Sequence, residues 1–132
     1  MNEILPHLWL GDLNDSFTAP EDFIILCVLE VRYPLLPKRA ILQPILEMSP
    51  NGPQMNMNGM EKACKIIDGV LNDEKNILVH CAAGVERSPL TIVWWLHTRM
   101  GQSLDVAYDF VKSKRSIVEN RLIWLPKYFR YS

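Results

Sequence analysis

The run NILVH at 76–80 enters the polar stretch CAAGVER at 81–87, and helix-compatible residues continue from Ser88 to about Met100. Side-chain periodicity must change from two to 3.6 across the intervening loop. A strand therefore runs in, a compact loop turns, and a helix runs out, with Gly101 suited to the helix end. That strand needs a sheet. FIILCVL at 23–29 supplies a second strand, because an uninterrupted apolar run suits a strand covered on both faces. The run is the longest purely apolar one and is far too short to cross a bilayer as a helix.

The remaining segments arrange themselves around these two strands. ILPHLWLG at 4–11 alternates imperfectly and reads as a strand or a short edge segment. ILQPILE at 41–47 reads as another strand, in which Pro44 marks an edge or an irregularity. SPNGPQMNMNG at 49–59 reads as an ordered loop or flap. Met60, Ala63, Cys64, Ile67, Val70 and Leu71 recur at helical spacing, and NDEK at 72–75 ends that helix. Ser103 can cap a further helix whose apolar positions include Leu104, Ala107 and Val111. A last helix is expected within 118–130, interrupted or bounded near Pro126. Residues 1–132 thus read as one α/β domain, a central sheet followed by a helix-rich C-terminal half.

Composition narrows the function classes. The 132 residues are 48% hydrophobic and 22% charged, a globular balance that can bury a core without disulfides or metal. Three cysteines cannot all pair within one chain, and Cys27 and Cys64 sit among apolar neighbours as ordinary core residues. Fourteen Lys and Arg against fifteen Asp and Glu give a formal charge of −1 and no reason to expect nucleic acid. The charges are uneven. Residues 1–31 hold six acids and no Lys or Arg, whereas 107–132 hold six Lys and Arg against Asp109 and Glu119. The sequence opens without a basic leader or a long apolar core, so an intracellular, cytoplasmic setting is expected and no membrane association. His7 and His97 complete no metal-ligand set, and no cofactor or metal is expected. No pattern specifies an oligomeric state.

The loop carries chemistry. In VHCAAGVERSP a thiol is followed, after five intervening residues, by a guanidinium and a hydroxyl. A strand–loop–helix turn can curl consecutive backbone N–H groups around a tetrahedral anion. Gly84 can adopt a backbone angle barred to most residues. The backbone of Cys81, Ala82, Ala83, Gly84, Val85, Glu86 and Arg87 would form the cradle, with the Arg87 fork holding two nonbridging oxygens. The Cys81 thiolate, at its base, would be favoured by the amides, the helix N-terminus and Arg87. In-line attack on phosphorus then gives a cysteinyl-phosphate that water hydrolyses. Ser88 can donate to the departing sulfur as well as cap the helix. His80 fixes the loop by hydrogen bonding, or is a satisfied core histidine without direct catalytic effect.

HCAAGVERS matches the HCxxGxxR[ST] signature of the protein tyrosine phosphatase superfamily, and the chain most resembles a small dual-specificity phosphatase. ILPHLWLGDLNDSF at 4–17 resembles the family's opening strand and loop. SPLTIVWWLHTRMGQSLDVAYDFVKSKRSIVENR at 88–121 resembles the helices after the active loop, including Arg115 and Asn120 where relatives often carry Arg and Asn. The resemblance covers most of 4–130 and is weakest at 31–59. It implies a three-layer α/β fold: a central mixed sheet flanked by helices, with the phosphate-binding loop between a strand and a helix. It further implies a phosphatase of phosphorylated proteins, phosphotyrosine favoured and phosphoserine or phosphothreonine also possible. The alternative is a catalytically weak phosphate-recognition module.

The family usually supplies an aspartate general acid some thirty residues before the cysteine. Here the matching position is Ser49, and residues 48–59 contain no Asp or Glu. Glu47 is the nearest carboxylate and a candidate acid; Asp12 or Asp15 is a second source, and an enzyme without a dedicated acid is a third. Ala82, Ala83, Val85 and Glu86 add no cation to the loop, which disfavours highly charged phosphoinositide or RNA triphosphate substrates. Glu86 is awkward beside a dianion: it points outward, selects a basic peptide flank, or pairs with an arginine.

Overall fold

The computed structural model describes residues 1–130, so Tyr131 and Ser132 of the expected 1–132 domain lie outside the described residues. Strands β1 (Asn2–Leu5) and β2 (Leu8–Gly11) form an antiparallel hairpin, with His7 at φ 74° in its turn. The imperfect alternation at 4–11 therefore marks a strand, a turn and a second strand. Helix α1 (Leu13–Thr18) follows, then β3 (Ile24–Cys27) and the two-residue β4 (Ile41–Leu42). Strands β5 (Leu46–Ser49) and β6 (Gly52–Met55) precede α2 (Met57–Asn72), β7 (Ile77–His80), α3 (Arg87–Met100) and α4 (Leu104–Lys114). The chain ends in two 3-10 turns, Leu122–Trp124 and Lys127–Phe129, where a helix around Pro126 was expected.

The main sheet has the order β1-β2-β7-β3-β4; only the β1–β2 pair is antiparallel. β7 is central and fully buried, as its ILVH sequence requires. Its neighbours share one register: His80 lies level with Gly11 of β2 and Cys27 of β3. The carboxyl ends of three parallel strands therefore meet at one edge, the usual place for a ligand in such sheets. Flanking helices complete the mixed α/β arrangement.

Pro44 separates what read as one strand at 41–47. β4 stays in the main sheet, while β5 turns away and pairs antiparallel with β6. The expected flap at 49–59 is thus the turn and second strand of a hairpin, followed by the start of α2. Asn56 caps that helix, its Oδ1 accepting from the Gly59 amide at 2.9 Å. Gly59 is required by packing, since a Cβ there would lie 2.4 Å from the Pro44 carbonyl oxygen.

Helix α3 is buried from Ser88 through Leu96. Pro89 fits its first turn, where a missing N–H costs no intrahelical bond. Trp95 meets α2, its Nε1 donating to Asp68 at 2.8 Å, while Trp94 packs edge-on against Phe129. Arg99 pairs with both Glu61 and Asp68 at 2.9 Å, so α2 and α3 are joined by the Trp95 hydrogen bond and an ion cluster. Gly101 closes α3 at φ 70°, and Ser103 caps α4 through the Val106 amide. Among the described residues no helix is long and apolar enough to cross a membrane.

Candidate active site

Residues 81–86 leave the end of β7 and enter the N-terminus of α3. Their carbonyls are held from outside, one after another. His80 Nδ1 lies 3.0 Å from the Cys81 oxygen, and because a carbonyl can only accept, that nitrogen carries the proton. The Leu13 amide donates to Ala82 O at 2.9 Å. Arg115 donates through Nη2 to Ala83 O at 3.2 Å and through Nε to Gly84 O at 2.9 Å. The Glu119 amide donates to Val85 O at 3.0 Å. In a trans peptide the N–H points opposite to the C=O of the same unit. Five outward carbonyls therefore turn the amides of Ala82, Ala83, Gly84, Val85 and Glu86 toward the inside of the loop. A concave run of N–H groups at a helix N-terminus suits a tetrahedral oxyanion.

Gly84 is needed twice over. Its φ of +69° is a conformation that side chains rarely adopt, and a Cβ would stand 2.6 Å from Gly11 O and 2.8 Å from Arg115 Nη2. The strand β2 and the arginine thus pack directly against the loop backbone. Arg115 is itself anchored through Nη1 to Asn2 Oδ1 at 2.8 Å.

Cys81 is 2% exposed, with its Sγ 3.2 Å from Ser88 Oγ. Ser88 Oγ also lies 3.4 Å from Gly11 O. One hydroxyl proton can serve either acceptor, so it can swing toward sulfur when sulfur is charged. The other two thiols differ. Burial pushes the Cys64 thiol up to about 12 and also raises that of Cys27, so both stay protonated core residues. His80 is fully buried, and burial holds it below its ordinary value despite the opposing Cys81 hydrogen bond and the nearby Asp12 and Asp15 charges. It sits as a neutral imidazole.

The Arg87 side chain, 29% exposed, donates from Nε to Glu30 Oε1 at 2.7 Å. That bond sets the plane of the guanidinium and leaves the Nη1 and Nη2 edge for two oxygens of an anion. Glu30 was not anticipated. Its signal was available: it is the first charged residue after the apolar run 23–29, and β3 runs parallel to the strand that carries the loop. Leu13, Arg115 and Glu119 also act on the loop, and only Arg115 stood out in the sequence. Glu86 takes the third of its three readings, pairing with Arg121 Nε at 2.7 Å, and Arg121 also pairs with Glu119. Its carboxylate is thereby neutralised beside the loop.

The carboxylates named as acid candidates separate clearly. Asp12 Oδ1 accepts from the Asp15 amide at 2.8 Å and Asp15 Oδ2 from the Asp12 amide at 2.9 Å, a capping box that starts α1. Burial raises Asp15, but the Asp12 amide and the N-terminal amine outweigh it and hold it below its usual range. Both are occupied in structure. Ser49, at the matching position, caps the hairpin turn, its Oγ donating to Gly52 O at 2.8 Å and accepting from the Asn51 amide. Glu47 stands on the same side of β5 as Ser49, one strand period back, or roughly 7 Å. It lines a small recess with Glu30, Leu46, Met48, Pro53 and Arg87. Its Oε2 accepts only a long 3.3 Å bond from Asn56 Nδ2.

Residues 40–128 match the family described as "Dual specificity phosphatase, catalytic domain". The chain belongs to this family of cysteine-based phosphatase domains. The domain is 32% identical over 135 residues to human Dual specificity protein phosphatase 9, covering 86% of this chain and 31% of that one. It is 33% identical over 121 residues to human Dual specificity protein phosphatase 6, covering 86% and 32%. The chain thus spans about a third of the length of these curated relatives. The dual specificity phosphatase fold is also seen in the crystal structure of human DUSP28, at a TM-score of 0.74 and 22% identity over 92% of this chain and 87% of that one. A mouse putative dual specificity phosphatase aligns at 0.73 and 21% identity over 96% and 92%.

Proposed function

We propose that this domain hydrolyses phosphomonoesters on phosphorylated proteins through a cysteinyl-phosphate, with phosphotyrosine favoured and phosphoserine or phosphothreonine accepted more slowly. The observation that carries the reading is the outward set of carbonyls at 81–85, which builds an anion cradle around Cys81 before any ligand arrives.

In the first step the Cys81 thiolate attacks phosphorus in line. The loop amides and the Arg87 Nη edge take the equatorial oxygens, and charge gathered there is stabilised without reorganisation. The P–O bond to the leaving oxygen breaks as the P–S bond forms, and Glu47 gives that oxygen its proton. In the second step water attacks phosphorus, its proton returns to the Glu47 carboxylate, and sulfur leaves as thiolate. Ser88 Oγ, 3.2 Å away, then turns its proton from Gly11 O to the sulfur. Glu47 is assigned as acid because it shares the Arg87 recess, whereas Glu30 is held by the guanidinium and Asp12 and Asp15 by their capping box. Phosphotyrosine is favoured because a phenol, with a pKa of about 10, departs with less help than an alkyl alcohol.

The test is single-turnover rapid quench with matched phosphotyrosine and phosphothreonine peptides across pH, using wild type, Cys81→Ser and Glu47→Gln. Cysteinyl-phosphate should accumulate and decay in wild type and be absent in Cys81→Ser. Ser49 in place of the family's aspartate favours a second reading, a phosphate-recognition module. Tight phosphopeptide binding with no single-turnover cleavage would select it.

A further inference from the structure

A groove of about 280 Å³ lies between the β5–β6 hairpin and the C-terminal 3-10 turns. The hairpin contributes Ser49, Asn51, Pro53 and Gln54; the other wall includes Lys127 and Arg130. Among the described residues, two cations line this groove and no carboxylate does. Arg130 is fixed there, its Nε donating to Leu125 O and its Nη2 to Ile123 O, both at 3.0 Å. Lys127 is exposed, and among the described residues it forms no salt bridge. Pro53 borders both this groove and the recess that holds Glu47 and Arg87. A chain whose phosphorylated residue sits in the loop can therefore pass over Pro53 and enter the groove.

The sign of charge changes along that path. The recess carries the carboxylates Glu30 and Glu47, while the groove beyond Pro53 is positive. Hydroxyl and amide side chains at Ser49, Asn51 and Gln54 supply polar partners for an extended backbone. No described lining residue repels an anionic side chain, and Lys127 has the reach and freedom to meet one.

We propose that the groove between the β5–β6 hairpin and residues 122–130 is a specificity subsite for a carboxylate side chain flanking the phosphorylated residue, with Lys127 as its cation. This rests on the phosphoprotein phosphatase reading and adds sequence preference to it. The hairpin then serves the substrate twice: near its start it offers Glu47 to the leaving oxygen, and its turn and β6 wall the groove that receives the flanking chain.

The experiment compares two phosphotyrosine peptides, one with Glu at three positions on each side and one with Gln there. Each is assayed at low and moderate salt with wild type and Lys127→Glu, beside a small aryl phosphate. Wild type should prefer the Glu peptide in kcat/KM by roughly three- to fivefold at low salt, less at higher salt. Lys127→Glu should abolish or invert that preference while leaving aryl phosphate turnover unchanged. Equal rates for the two peptides, or a preference that survives Lys127→Glu, would overturn the subsite. Fluorescence-anisotropy binding of the same peptides separates the two claims. If aryl phosphate is not turned over, the phosphatase reading fails by itself; a Lys127-dependent binding preference would then retain the subsite, and its absence would remove both.

Discussion

The candidate active loop and the β5–β6 hairpin meet at the recess shared by Arg87 and Glu47 but are built to different standards. Each carbonyl from Cys81 to Val85 has its own donor, drawn from β7, the start of α1, the end of α4 and the segment after it. The hairpin is a separate two-stranded sheet, and its one carboxylate toward the recess has a single long hydrogen bond. In the proposed mechanism, anion binding and sulfur attack would therefore rest on fixed backbone, whereas proton delivery would rest on an exposed side chain one strand period away from the family's usual place. On that proposal the cradle carries most of the catalysis.

Substitutions can break that contrast, starting in the loop. Cys81→Ser should remove turnover by about 10⁴-fold or more while phosphate still binds, read by steady-state rates and inhibitor titration. Gly84→Ala forces a Cβ against Gly11 O and strains a left-handed residue, so kcat/KM should fall about 10²–10³-fold, with about 1–2 kcal/mol lost from stability in denaturant melts. In the hairpin, Glu47→Gln should cost about 10²-fold on a phosphothreonine peptide and much less on an activated aryl phosphate. An equal loss on both would remove Glu47 from proton transfer. Arg115→Gln should cost on the order of tenfold in kcat and weaken competitive inhibition by inorganic phosphate, since it orients the loop without touching the reacting atoms. Partial rescue by Arg115→Lys would distinguish positioning from bulk.

The smallest effect concerns pH. Burial keeps native His80 below its ordinary value of 6.5. As pH falls through that value, the unfolded chain takes up a proton that native His80 resists, so stability declines toward acid. His80→Asn should show a smaller Tm loss than wild type between pH 7 and pH 5, by a few degrees. A larger loss would mean that His80 is not held neutral.

The loop and its flanking strand and helix were legible because composition, spacing and periodicity agree over 76–101. The central strand at 23–29 was legible for the same reason: burial on both faces leaves an unbroken apolar run. Residues 41–59 were legible only in part: a strand disturbed at Pro44 could be read, but β4, β5 and β6 are too short to show a period, so the split into two sheets and the hairpin could not. The last helix failed for a related reason, as Pro126 leaves only single 3-10 turns on either side. Glu30 and Glu119 escaped notice because their roles depend on tertiary proximity: one reaches across the sheet to Arg87, the other gives only its amide. Glu86 could be reduced to three readings from sequence, but choosing among them required the position of Arg121.

Because the amides of the cradle are oriented in advance, the site makes little distinction between an ester and the free inorganic ion. If the proposed cycle runs, product inhibition follows: released orthophosphate would be held by the same ring of donors, and net flux would depend on how quickly that ion escapes.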